Sequence, residues 1–114
     1  MLGLRLATQR VMARAAADLR QGKDTWFTAL GTSMTPEIKA VQRVRLRPPL
    51  QGEPFTGQAV LARVGDRYWL HRVTRERPGE AHIAGDNGMV NGWTPRASVF
   101  GVLFAGSDEA GADG

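Results

Sequence analysis

Gln58-Ala59-Val60-Leu61-Ala62-Arg63-Val64-Gly65-Asp66-Arg67-Tyr68-Trp69-Leu70-His71-Arg72-Val73-Thr74 is the stretch that decides the fold. Both arms are rich in β-branched and aromatic residues, which suit a pleated, half-buried surface. Gly65-Asp66 between them has the chemistry of a two-residue hairpin turn. The stretch therefore predicts strands over 58–64 and 67–74 joined by a tight turn. Working outward, 26–30, 41–47, 82–84 and 99–104 also read as short strands, with Pro48-Pro49 ending the second and Pro78-Gly79 marking a turn. Short strands at this spacing predict a mainly β, compact, partly closed fold.

The N-terminal residues differ. Between Leu4 and Leu19, alanine, leucine, methionine and arginine dominate, all good helix formers. Leu4, Ala7 or Thr8, Val11, Ala15 and Leu19 are expected on one face, with Arg10 and Arg14 towards another. Arginines interrupt the segment, so it predicts an amphipathic helix rather than a membrane span or a secretory signal. The chain thus divides into a basic helix over 1–22, a β domain over 23–105, and a small, acidic, glycine-rich tail over 106–114, expected to be disordered.

At 114 residues there is room for one modest core. With no cysteine, a disulfide framework and a thiolate metal site are excluded. Two separated histidines without clustered carboxylates predict no metal site, and no phosphate-cradling Gly-Lys-Ser/Thr loop occurs. The net charge of +4 owes much to Arg5, Arg10, Arg14 and Arg20 and to Arg43, Arg45 and Arg47. The latter three alternate with Val44 and Leu46, as on a strand with one apolar and one basic face. The charge suits a solvated face, or an acidic membrane surface or acidic partner reached through the N-terminal helix. No nucleic-acid-binding motif accompanies it.

The chemistry-bearing motif is Gly31-Thr32-Ser33-Met34-Thr35-Pro36. Gly31 permits backbone angles that other residues resist, and Pro36 biases Thr35 towards extended backbone. Such a turn can present the Ser33 hydroxyl outward and aim backbone N–H groups at a developing oxyanion. A serine needs a base to become a nucleophile, and histidine titrates where that base must. A carboxylate can hold the imidazole in the useful tautomer. Ser33, His71 and Asp86 supply one candidate for each role. Asp86 lies in Gly85-Asp86-Asn87, which is also strong turn chemistry. The other serines, Ser98 and Ser107, read as structural and as part of the tail. His82 reads as a cross-strand polar residue, and Asp66 as a turn residue. Of the two lysines, Lys23 reads as surface, and Lys39 could form a Ser–Lys pair only if the chain folds back sharply.

The serine box is followed in order by Gly57-Gln58-Ala59-Val60, Leu70-His71-Arg72-Val73, Gly85-Asp86-Asn87, Thr94-Pro95 and Gly101. This series, over about residues 25–104, resembles the signal peptidase I family and its LexA-like relatives. With histidine rather than lysine before Arg-Val, it is most similar to the endoplasmic-reticulum and archaeal branch. The resemblance implies a LexA/signal peptidase type of β-fold and a serine endopeptidase without a cofactor. It also implies a polypeptide substrate bound in extended form and cut after a small residue, Ala or Gly. Ser33 would be nucleophile and His71 general base, with Asp86 as the acid. Backbone N–H groups of Ser33 and Met34, with Thr32 adjacent, would form the oxyanion site. That branch often has a second aspartate after the Gly-Asp-Asn box, and here Asn91 stands in its place, so either Asp86 serves alone or Ser33 and His71 act as a dyad with a weak third partner. The chain also departs from the family in having the basic helix where a membrane anchor is usual, so a cytoplasmic location is expected. Two other functions stay open. One is a non-catalytic binding or assembly module. The other is a self-cleaving LexA-like regulator, for which Ala105-Gly106 and Ala110-Gly111 offer bonds.

Overall fold

The computed structural model describes residues 2–30, 34 and 41–104. One helix, α1 (Leu2–Arg20), precedes seven strands: β1 (Thr25–Leu30), β2 (Val41–Arg47), β3 (Ala59–Val64), β4 (Arg67–Arg77), β5 (Glu80–Ala84), β6 (Val90–Pro95) and β7 (Val99–Leu103). A 3-10 turn over Arg96–Ser98 leads into β7. The strands form one antiparallel sheet in the order β1-β2-β7-β3-β4-β5-β6. The fold is mainly β with an N-terminal helix, as the sequence predicts. The sheet is not closed, and β1 and β6 stand at its two ends. It curls instead: the Thr94 hydroxyl on β6 donates to the Arg63 carbonyl on β3 at 2.6 Å, although three sheet positions separate the strands.

α1 ends through glycine chemistry. Gly22 adopts φ +83°, its N–H bonds the Leu19 carbonyl, and the Lys23 N–H reaches back to the Asp18 carbonyl. This pair of bonds satisfies carbonyls that the last helical turn leaves open. The buried face is Met12, Ala15, Ala16 and Leu19, at helical i, i+3, i+4, i+7 spacing. Val11, expected on that face, is 44% exposed, because the helix is rotated to seat Met12. Gln9 fastens the helix to β4. Its side-chain amide donates to the Tyr68 carbonyl at 2.9 Å and accepts from the Tyr68 N–H at 2.8 Å. Pairing of β4 with β5 begins only at Arg72, so on that side Gln9 replaces a strand neighbour for Tyr68.

β3 is buried on both faces, and its alternation divides the core. Ala59 and Leu61 join the helix-side cluster with Met12, Ala15, Ala16, Leu19, Phe27, Ala29, Met34, Val44, Leu46 and Phe100. Val60 and Ala62 join the opposite cluster with Phe55, Val73, Ala81, Ile83, Val99 and Val102. The curl of the sheet wraps this second cluster, and the 48–58 segment covers it. That segment is held by ion pairs. Arg47 makes two bonds to Glu53, at 2.9 and 2.5 Å. Glu76 accepts from the backbone N–H groups of Phe55 and Thr56 and from the Thr56 hydroxyl. Arg96 pairs with Glu76 at 3.0 Å, bonds the Glu53 carbonyl and lies over the Phe55 ring.

The basic face of β2 is not simply solvated. Arg43 and Arg45 lie over the Trp26 ring at 4.9 and 5.2 Å, and Arg45 also lies over Phe104 at 4.7 Å. No helix among the described residues is long and apolar enough to cross a membrane.

Candidate active site

His71 sits in the middle of β4, opposite Val60 of β3. It is only 3% exposed, with the Trp69 ring stacked beside it at a centroid distance of 5.1 Å. The sequence reading assigns the orienting acid to Asp86. The structure gives the Nδ1 atom of His71 to Asn91 instead, with Nδ1 and Oδ1 2.5 Å apart. With the amide in this orientation Oδ1 accepts, which places the proton on Nδ1. In the neutral ring the lone pair then lies on Nε2, the atom that would take a proton from a nucleophile.

Burial pulls the His71 pKa below its ordinary value, against the Asn91 hydrogen bond and the Asp86 charge, which both raise it. The ring is therefore biased towards the neutral, base-competent form.

Asp86 has a different principal partner. It lies in the turn between β5 and β6, where the Gly85 N–H bonds the Met89 carbonyl and the Asn87 side chain accepts from the Met89 N–H. Its two carboxylate oxygens take the fork of Arg72, Nε to Oδ1 at 2.8 Å and Nη2 to Oδ2 at 2.9 Å. Arg72 spends its remaining Nη1 on the Gly57 carbonyl at 2.7 Å. These bonds hold the Asp86 carboxyl below the usual carboxylate range. The structure thus brings Asp86 near enough to His71 to act through its charge, while the ring nitrogen is held by Asn91.

Asn91 reaches the ring because of a β-bulge. Ile83 pairs with Gly92 and Ala84 with Val90, so Asn91 is the extra residue on β6. A bulge re-aims a side chain that regular alternation would send elsewhere. Gly92 follows at φ +109°, an angle that favours glycine. The only sequence signal for Asn91 was its position in place of the second aspartate.

Ser33 and Thr32 lie outside the described residues, as do Lys39 and the Ala-Gly bonds of the tail. Met34, next to Ser33 in the chain, is 3% exposed within the helix-side cluster that includes Ala59. Ala59 in turn pairs with Arg72, the neighbour of His71. His82 is a cross-strand polar residue, with Nδ1 2.7 Å from the Thr74 hydroxyl and its ring edge-on to Trp93. Gly65-Asp66 is the hairpin tip, closed by the Val64–Arg67 pair. Among the described residues no three His, Cys, Asp or Glu side chains are grouped as a metal site.

No family model matches this chain, and neither a curated protein nor a solved structure matches it.

Proposed function

We propose that this protein is a serine endopeptidase of the signal peptidase-like kind, with Ser33 as nucleophile and His71 as general base. The observation that carries the reading is the environment of His71. It is a buried imidazole whose Nδ1 is engaged by a fixed acceptor and whose pKa is lowered by burial. A fixed tautomer and a ring kept neutral by burial are what a general base needs. The ordered resemblance of the serine, histidine and Gly-Asp-Asn boxes supports the same reading.

In the reaction, the Ser33 oxygen attacks the scissile carbonyl while His71 Nε2 takes the hydroxyl proton. The imidazolium then gives that proton to the leaving amine, and water repeats the sequence on the acyl-enzyme. Backbone N–H groups of Ser33 and Met34 would receive the oxyanion. The substrate would be a leader or precursor polypeptide, held extended beside the sheet and cut after a small residue.

The rival reading is a non-catalytic binding module, and the commitment of Asp86 to Arg72 favours it. A fluorophosphonate probe separates the two. The proposal expects labelling of the wild-type protein at Ser33, lost in Ser33→Ala and reduced by at least about 100-fold in rate in His71→Ala. Equal labelling of wild type and Ser33→Ala, or none of either, sinks it.

A further inference from the structure

We infer that Asn91 is the residue that positions His71, and that Asp86 serves as an anchor for the turn rather than as the third member of a triad. The inference rests on the peptidase reading for its catalytic meaning, but its geometry stands apart from it.

The acceptor is built into the backbone. The β6 bulge places Asn91 as the unpaired extra residue, and its Oδ1 lies 2.5 Å from the ring nitrogen. Asp86 is held by a different partner. Both its oxygens are bonded to one guanidinium in a fork-to-fork arrangement, the strongest geometry open to a carboxylate and an arginine. Arg72 is itself tied to the Gly57 carbonyl, so the fork fixes Asp86 on Arg72, and Asp86 acts on the ring through its charge.

Asn91 holds the ring at Nδ1, and the other described neighbours differ in kind. From β3 the facing residue is the neutral Val60. On β4 itself, Trp69 is stacked on the ring and Arg72 carries the charge that Asp86 balances. From β6 comes the amide of Asn91, and from the β5–β6 turn the charge of Asp86, which acts on His71 through space.

A neutral orienter has a chemical consequence. Through Oδ1 an amide fixes the same tautomer as a carboxylate, but its Nδ2 end would fix the other one, and it adds no negative charge to stabilise the imidazolium of the transition state. It therefore gives a weaker base that stays neutral, and usable, at lower pH. A carboxylate at the same place would favour the charged ring and raise its pKa by about one unit or more.

The test is the pair of ring nitrogen shifts of His71, read by long-range nitrogen–proton NMR above its titration and through it. Wild-type, Asn91→Ala, Asn91→Asp and Asp86→Asn proteins are compared, with the backbone amide spectrum reporting the fold of each. The expected result is a single Nδ1–H tautomer in the wild type, kept in Asp86→Asn and lost to a mixture in Asn91→Ala. Asn91→Asp, which preserves shape, should keep the tautomer and move the titration midpoint up by about one unit or more. Retention of the Nδ1–H tautomer in Asn91→Ala, an unmoved midpoint in Asn91→Asp, or loss of the tautomer in Asp86→Asn would overturn the inference. Should Asn91→Ala not fold, the Asn91→Asp and Asp86→Asn results decide. Failure of the peptidase reading shows elsewhere, as a probe reaction indifferent to Ser33→Ala, and leaves these ring shifts as they are.

Discussion

Arg72 and Asp86 are joined by two parallel hydrogen bonds, Nε to Oδ1 at 2.8 Å and Nη2 to Oδ2 at 2.9 Å, while the third arm of Arg72 holds the Gly57 carbonyl. Three distant pieces of chain meet at this guanidinium: the start of the β3 arm, the middle of β4 and the β5–β6 turn. The pair gives the aspartate two residues after β5 a hydrogen-bond partner other than His71.

The pair is partly exposed, with about a quarter of each side chain accessible, so its worth is limited by solvent. A double-mutant cycle of Arg72→Ala and Asp86→Ala, followed by urea unfolding, is expected to give a coupling of about 0.5–1 kcal/mol. A coupling near zero would mean that the fork does not hold the turn.

Leu19 and Gly101 predict a second cycle. A Cβ on Gly101 would lie 2.6 Å from Leu19 Cδ1 and 3.3 Å from the Arg47 carbonyl oxygen. Leu19 is buried at 2% exposure, so its side chain has little room to yield. Gly101→Ala is expected to cost about 1–3 kcal/mol by overpacking. In a Leu19→Ala background the same change should cost clearly less, because the space it needs is then vacant. Equal costs in the two backgrounds would show that the helix does not set the requirement for glycine.

Stability should fall in acid. Arg47 hydrogen bonding holds Glu53 below its ordinary value of 4.5, the Thr56 hydroxyl does the same for Glu76, and Arg72 holds Asp86 below 3.8. A carboxylate with a depressed folded-state pKa binds fewer protons folded than unfolded, so stability rises with pH across that range. The contribution is complete above the ordinary carboxylate values and is lost as pH falls through the lower folded-state values. Urea midpoints measured down from pH 6 should decline steadily below about pH 4.5, and Glu76→Gln should flatten part of that decline.

His71 acts in a higher window. Burial, its largest influence, sets its folded-state pKa below 6.5, so between those two values the unfolded chain takes up a proton that the folded ring refuses. Unfolding is therefore favoured as pH drops through 6.5, and the penalty is complete below the folded-state value. His71→Gln should remove this part of the slope. In the proposed reaction the same shift puts the acid limb of the rate profile below 6.5, and an acid limb above 6.5 would contradict it.

What the sequence determined by itself was local. The 58–74 hairpin, the turn at Gly65-Asp66, the alternating strand at 41–47 and the N-terminal helix all form where the residues predict, because period and turn chemistry are properties of neighbours in the chain. His71 was legible as a strand residue beside Arg72-Val73. Other features were decided only by tertiary structure. β6 escaped reading because Asn91-Gly92 and Pro95 look like loop, yet that strand pairs with β5 through a bulge. The buried helix face turned from Val11 to Met12 because the sheet beneath set the rotation. Whether Asp86 or Asn91 met the imidazole depended on a one-residue register shift and on Arg72 capturing the carboxylate. Both are contacts between segments far apart in sequence, whose energies no local pattern records.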